Sequence, residues 1–61
     1  MNKNRRKEIA LVQDALRRVN EKLDALIDEC VDADEYDIAS TLRVVQDDLM
    51  SADTYLDEAR N

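Results

Sequence analysis

The sequence has no glycine, proline, histidine, tryptophan or phenylalanine. Without glycine and proline, tight hairpins, bulges and phosphate-cradling loops lose their usual materials, which disfavours sheet folds and nucleotide-binding motifs. Without histidine there is no Glu-x-x-His metal set of the bundle type, no Ser-His or Cys-His dyad and no imidazole acid-base catalyst. Cys30 is the only cysteine, so no intramolecular disulfide forms, and at a core-facing helical position it acts as a small hydrophobe. No apolar run approaches the roughly 20 residues of a membrane span. The basic segment Lys3, Arg5, Arg6, Lys7 leads into a charged amphipathic stretch instead of a signal-peptide core, so the expectation is a cytoplasmic protein with no membrane segment.

What remains is 61 residues, 44% apolar and 39% charged, with nine basic and fifteen acidic side chains for a net charge of -6. A chain this short buries only about 60% of its unfolded surface, so the expectation is one domain, or one element of a larger assembly, that needs idealised packing or a partner. The charge content leans toward disorder, but the apolar residues are periodic, which favours a folded, all-α chain.

Apolar residues fall at Ile9, Val12, Leu16, Val19, Leu23, Leu26 and Cys30, and again at Ile38, Leu42, Val45, Leu49, Ala52, Leu56 and Ala59. Both series alternate steps of three and four, the signature of a heptad stripe. The eight-residue step from Cys30 to Ile38 breaks the register, rotating the second stripe by on the order of 120°. One continuous helix cannot bury both. The pattern therefore predicts an antiparallel two-helix hairpin, with helices near 4–31 and 35–59 and a turn near 32–34. Asp34 reads as the second helix's N-cap, with Asp37 completing a capping box and Ala33 and Ile38 at the staple positions. Folding there pairs Cys30 with Ile38, Leu26 with Leu42 and so on to Ile9 with Ala59, residue numbers adding to 68 in each pair.

Charge placement agrees with the hairpin. Residues 1–31 carry seven basic and six acidic side chains, whereas residues 32–61 carry two and nine. Cross-helix pairs are expected between Arg18 or Lys22 and Asp47 or Asp48, between Arg43 and Asp24 or Asp28, and between the basic segment and Asp57 or Glu58. Exposed pairs of this kind contribute ~0–1 kcal/mol and act on orientation more than stability. A lone hairpin buries one side of each helix and is marginal, so dimerisation into a four-helix bundle, or docking on another protein, is expected. The candidate self-association residues form two groups, Ile27, Val31, Tyr36 and Val44 toward the turn and Leu11, Ala15, Met50 and Tyr55 toward the open end.

No catalytic constellation, cofactor site, metal site or small-molecule substrate is expected. Adjacent carboxylates such as Asp47 with Asp48 diverge by about 100° on a helix. The Asp32–Asp37 segment lacks the sixth-position glycine and twelfth-position glutamate of a calcium loop. The candidate partner-binding residues are charged. Lys3, Arg5, Arg6 and Lys7 sit against the dipole of the first helix and suit a phosphate or an acidic protein surface. Asp47, Asp48, Asp53 and Asp57, with Glu58, could imitate a phosphate backbone and occupy a DNA-binding protein's cleft, which gives an acidic DNA-mimic inhibitor as a further alternative function. Only two tyrosines and a net acidic charge argue against general nucleic-acid binding, with RNA the open exception.

The opening Asn2-Lys3-Asn4-Arg5-Arg6-Lys7-Glu8-Ile9, the leucine-rich helix ending in Asp28-Glu29, and Leu49, Ala52, Tyr55 and Leu56 together resemble small helical proteins encoded in phages and prophages of Gram-positive bacteria. That resemblance implies a non-catalytic accessory protein that binds and alters a host or phage protein in the host cytoplasm. The turn Asp32-Ala33-Asp34-Glu35, with Asp37-Ile38 and Leu42, resembles the bend of the Rop-type plasmid copy-number regulators. That similarity implies a homodimeric four-helix bundle and, as the alternative function, a dimeric RNA-binding regulator. The first helix has no aromatic residue to match their RNA-binding face.

Overall fold

A computed structural model describes residues 2–61, and among them the architecture is two α-helices and no strand: α1 (Lys3–Asp32) and α2 (Tyr36–Arg60). They lie against each other along their length as an antiparallel hairpin, a rod of 48 × 15 × 9 Å. The expected fold class is therefore observed, with helix ends displaced by one residue. No helix among the described residues is long and apolar enough to cross a membrane.

α1 starts one residue early because Asn2 caps it, its Oδ1 accepting the Arg5 backbone N–H at 2.9 Å. The turn is built differently from the expectation. Ala33 is the C-cap of α1, and Asp34 follows in the left-handed region at φ 60°. The Asp34 N–H donates to the Val31 carbonyl at 3.0 Å and the Glu35 N–H to the Cys30 carbonyl at 2.7 Å. This pair of bonds is a Schellman motif, with aspartate where glycine is usual. Asp34 is thus not the N-cap of α2. Glu35 holds that position without a side-chain bond, while the Asp34 carboxylate accepts the Tyr36 hydroxyl at 2.9 Å. Satisfying the last carbonyls of a 30-residue helix required a left-handed residue before α2 could begin.

The sharpest departure is rotational. In α1 the buried and half-buried series is Ile9, Gln13, Leu16, Asn20, Leu23, Ile27, Cys30, with Ala10, Ala15 and Val31 beside it; in α2 it is Ala39, Leu42, Gln46, Leu49, Asp53, Leu56, Arg60, with Ala52 beside it. Both keep the heptad alternation, but each shares only every second position with the expected stripe. The layers pair residues whose numbers add to 69 instead of 68. The closed core lies at the turn, where Ile27, Cys30 and Ala39 are buried and Val31 and Leu42 pack against them. Beyond it every layer sets one apolar residue against one polar residue: Leu23 with Gln46, Leu49 with Asn20, Leu16 with Asp53, Leu56 with Gln13, and Ile9 with Arg60. Ile27, expected on a self-association surface, is 5% exposed and belongs to the hairpin's own core.

Candidate functional site

Two glutamines organise the seam. Gln13, 1% exposed, donates from Nε2 to the Asp57 carboxylate at 2.7 Å and to the Asp53 carbonyl at 3.3 Å. Gln46 donates to the Asp24 carboxylate at 2.6 Å and to the Asn20 carbonyl at 3.4 Å. Each glutamine of one clasp lies 33 positions from its counterpart in the other, and so do their partners. The relation extends through the sequence: Val12-Gln13-Asp14-x-Leu16 with Leu23-Asp24 repeats as Val45-Gln46-Asp47-x-Leu49 with Leu56-Asp57. The hairpin is therefore pseudo-twofold, with an axis between the helices that exchanges α1 and α2. Arg60 breaks the symmetry by donating to Gln13 Oε1 at 2.7 Å.

This polar network occupies one flank of the rod. There the heptad places Arg17, Asp24 and Val31 of α1 beside Tyr36, Arg43, Met50 and Asp57 of α2. On the pseudo-axis the same flank holds a groove of about 210 Å³ lined by Leu16, Arg17, Asn20, Leu49, Met50, Asp53 and Thr54. The Oδ1 atoms of Asn20 and Asp53, equivalent under the pseudo-axis, are buried and accept no hydrogen bond.

The opposite flank carries Val12, Val19 and Leu26 of α1 and Ile38, Val45, Ala52 and Ala59 of α2, each series spaced by seven. None of these is charged, and the five larger ones are 39–49% exposed. These are the residues that periodicity placed against the sister helix. In the fold they line an open apolar strip, because polar residues took the seam.

The other sequence-expected sites disperse. Leu11 and Val44 point away from the seam at 66% and 58% exposed, Met50 and Tyr36 belong to the polar flank, Tyr55 rims the apolar flank, and Val31 is half-buried. They do not form one surface. Lys3, Arg5, Arg6 and Lys7 are exposed. Among the described residues the only ion pair is Arg17 with Asp14 at 3.2 Å, within α1, so the expected cross-helix pairs do not form. Arg18 and Asp47 lie on outward faces out of reach of the other helix, and Asp24 and Asp57 are engaged by the glutamines. Within the acidic set, Asp47 and Asp48 are exposed, Asp57 is held in a clasp and Asp53 is half-buried in the seam. They do not present the uniform row that imitation of a phosphate backbone requires. Among the described residues no group of three or more Cys, Asp or Glu side chains is placed to hold a metal ion.

The clasps and the apolar flank were missed by periodicity alone. Comparing the chain with itself at an offset of 33 would have paired Gln13 with Gln46 and Asp24 with Asp57. The chain matches no family model, no curated protein and no solved structure.

Proposed function

We propose that this chain is a small non-catalytic protein-binding protein that docks a helical protein surface against its apolar flank. The observation that carries this reading is the inversion of the expected pattern. Gln13, Asn20, Gln46 and Asp53 occupy seam positions while Val12, Val19, Leu26, Ile38 and Val45 are left half-exposed. Fully burying a Val or Leu side chain contributes about 1.5–3 kcal/mol, and these five are already about half-buried, so association stabilises each by roughly 1 kcal/mol. On the resemblance to small phage-encoded helical proteins, the partner is a host or phage protein whose activity the docking alters.

A photo-crosslinking residue at Val45 on the apolar flank, compared with one at Asp24 on the polar flank, tests the reading in cells. Protein adducts from Val45 and none from Asp24 support it. Adducts from neither position, or equal yields from both, refute it. The rival reading, an RNA-binding regulator acting through the basic segment, draws on the exposure of Lys3, Arg5, Arg6 and Lys7. It predicts binding that weakens steeply with salt and is lost in Arg5→Ala with Arg6→Ala at unchanged helicity.

A further inference from the structure

Three quantities bear on what covers the apolar flank. The first is an angle. Each helix's most apolar stripe, shared between seam and flank, is turned one heptad position from the line to the sister helix, about 50°. In a bundle the stripe points at the common axis, which lies about 30° from the neighbour direction for three helices and about 45° for a square of four. Both stripes turn toward the same flank, so their directions converge on one axis with room for two more helices. The second is an area. A compact protein of 7.0 kDa exposes about 4000 Å², whereas this chain exposes 4819 Å². The excess is close to the ~800 Å² that one partner contributes to a standard interface.

The third is charge. α1 carries seven basic and seven acidic residues and α2 two basic and six acidic. Stacking α1 on the α2 of a second hairpin therefore avoids juxtaposing two acidic helices. The pseudo-twofold axis makes the flank's shape nearly indifferent to which way a second hairpin is laid on it, so the rim decides. With the two turns at the same end, Lys22 falls beside Asp48 of the other copy and Ala15 beside Tyr55, each pair twice, and no like charges meet. With the turns at opposite ends, Glu8 falls beside Glu29.

We infer that the occupant is a second copy of this chain, laid flank on flank with α1 against α2 and both turns at the same end, giving a four-helix bundle with pseudo-222 symmetry. This inference rests on the docking reading above and names its partner.

Light scattering after size exclusion, over micromolar concentrations, reads the mass, and twice 7.0 kDa is expected. Val19→Glu with Val45→Glu, which alters only half-exposed positions, abolishes the dimer. Lys22→Asp or Asp48→Lys alone, both at exposed sites, weakens it about tenfold at low salt, and the two together restore it. Orientation is read by a spin label on Ala33→Cys in a Cys30→Ala background. The same-end arrangement places the two labels within about 25 Å, and opposite ends separate them by about 45 Å, the length of α1. A helical monomer, a mass other than the dimer's, or the long distance overturns the inference. A monomer whose Val45 crosslinker captures a different protein overturns the second copy and leaves the docking reading standing.

Discussion

Truncating Gln13 and Gln46 to alanine tests the pseudo-twofold clasp quantitatively. Gln13 bonds the Asp57 carboxylate and receives the Arg60 guanidinium, both at 2.7 Å, and is 1% exposed. Hydrogen bonds to charged groups contribute about 1.5–3 kcal/mol when shielded. Asp57 is at the surface and regains water when released, so about 1 kcal/mol for each of the two bonds is appropriate. Removing one buried methylene adds about 0.8 kcal/mol, so Gln13→Ala costs about 3 kcal/mol. Gln46 has one charged partner, Asp24 at 2.6 Å, and is only half-buried, so Gln46→Ala costs about 1.5 kcal/mol. Urea unfolding followed by far-UV circular dichroism, at fixed protein concentration because association shifts the midpoint, gives both values. Double-mutant cycles locate them, with Gln13 coupling to Asp57 and Gln46 to Asp24 by about 1 kcal/mol each, and the crossed pairs coupling by less than about 0.3 kcal/mol. Equal costs for the two truncations, or coupling near zero in both cycles, would refute the clasp as a stabilising element.

Three further outcomes follow from particular positions. Asp34 sits at φ 60° in the Schellman turn, so Asp34→Gly raises stability by up to about 1 kcal/mol despite losing the Tyr36 hydroxyl bond; a lower thermal midpoint would contradict that account of the turn. Ala39 is 0% exposed where the helices approach beside Cys30, so Ala39→Leu overpacks the core and costs about 1–3 kcal/mol, visible as a lower urea midpoint. Asp53 Oδ1 is buried without a donor opposite Leu16, so Asp53→Leu is stabilising by about 1–2 kcal/mol; destabilisation in the same urea assay would mean that the carboxylate has a compensating partner.

The helices, their antiparallel pairing and the location of the turn were all legible in the sequence. Each depends on short-range periodicity, and the register break between Cys30 and Ile38 is a local property of the chain. The turn's chemistry was less legible. A short polar residue such as Asp34 serves equally as an N-cap or as a left-handed residue after a helix, and the choice depends on which helix's terminal groups it must satisfy.

Which face of each helix would be buried was settled only by the tertiary structure. Ile9, Leu16, Leu23 and Cys30 belong at once to two overlapping heptad stripes, one completed by Val12, Val19 and Leu26, the other by Gln13, Asn20 and Ile27. Hydropathy favours the first, since it cannot register that Gln13 finds Asp57 and Gln46 finds Asp24 across the seam. A buried polar group is costly only when it lacks a partner, and here the partners lie 44 and 22 residues away in the chain. The one-dimensional pattern therefore identified the apolar stripe correctly, while the pairing of the two helices decided that much of it would face outward.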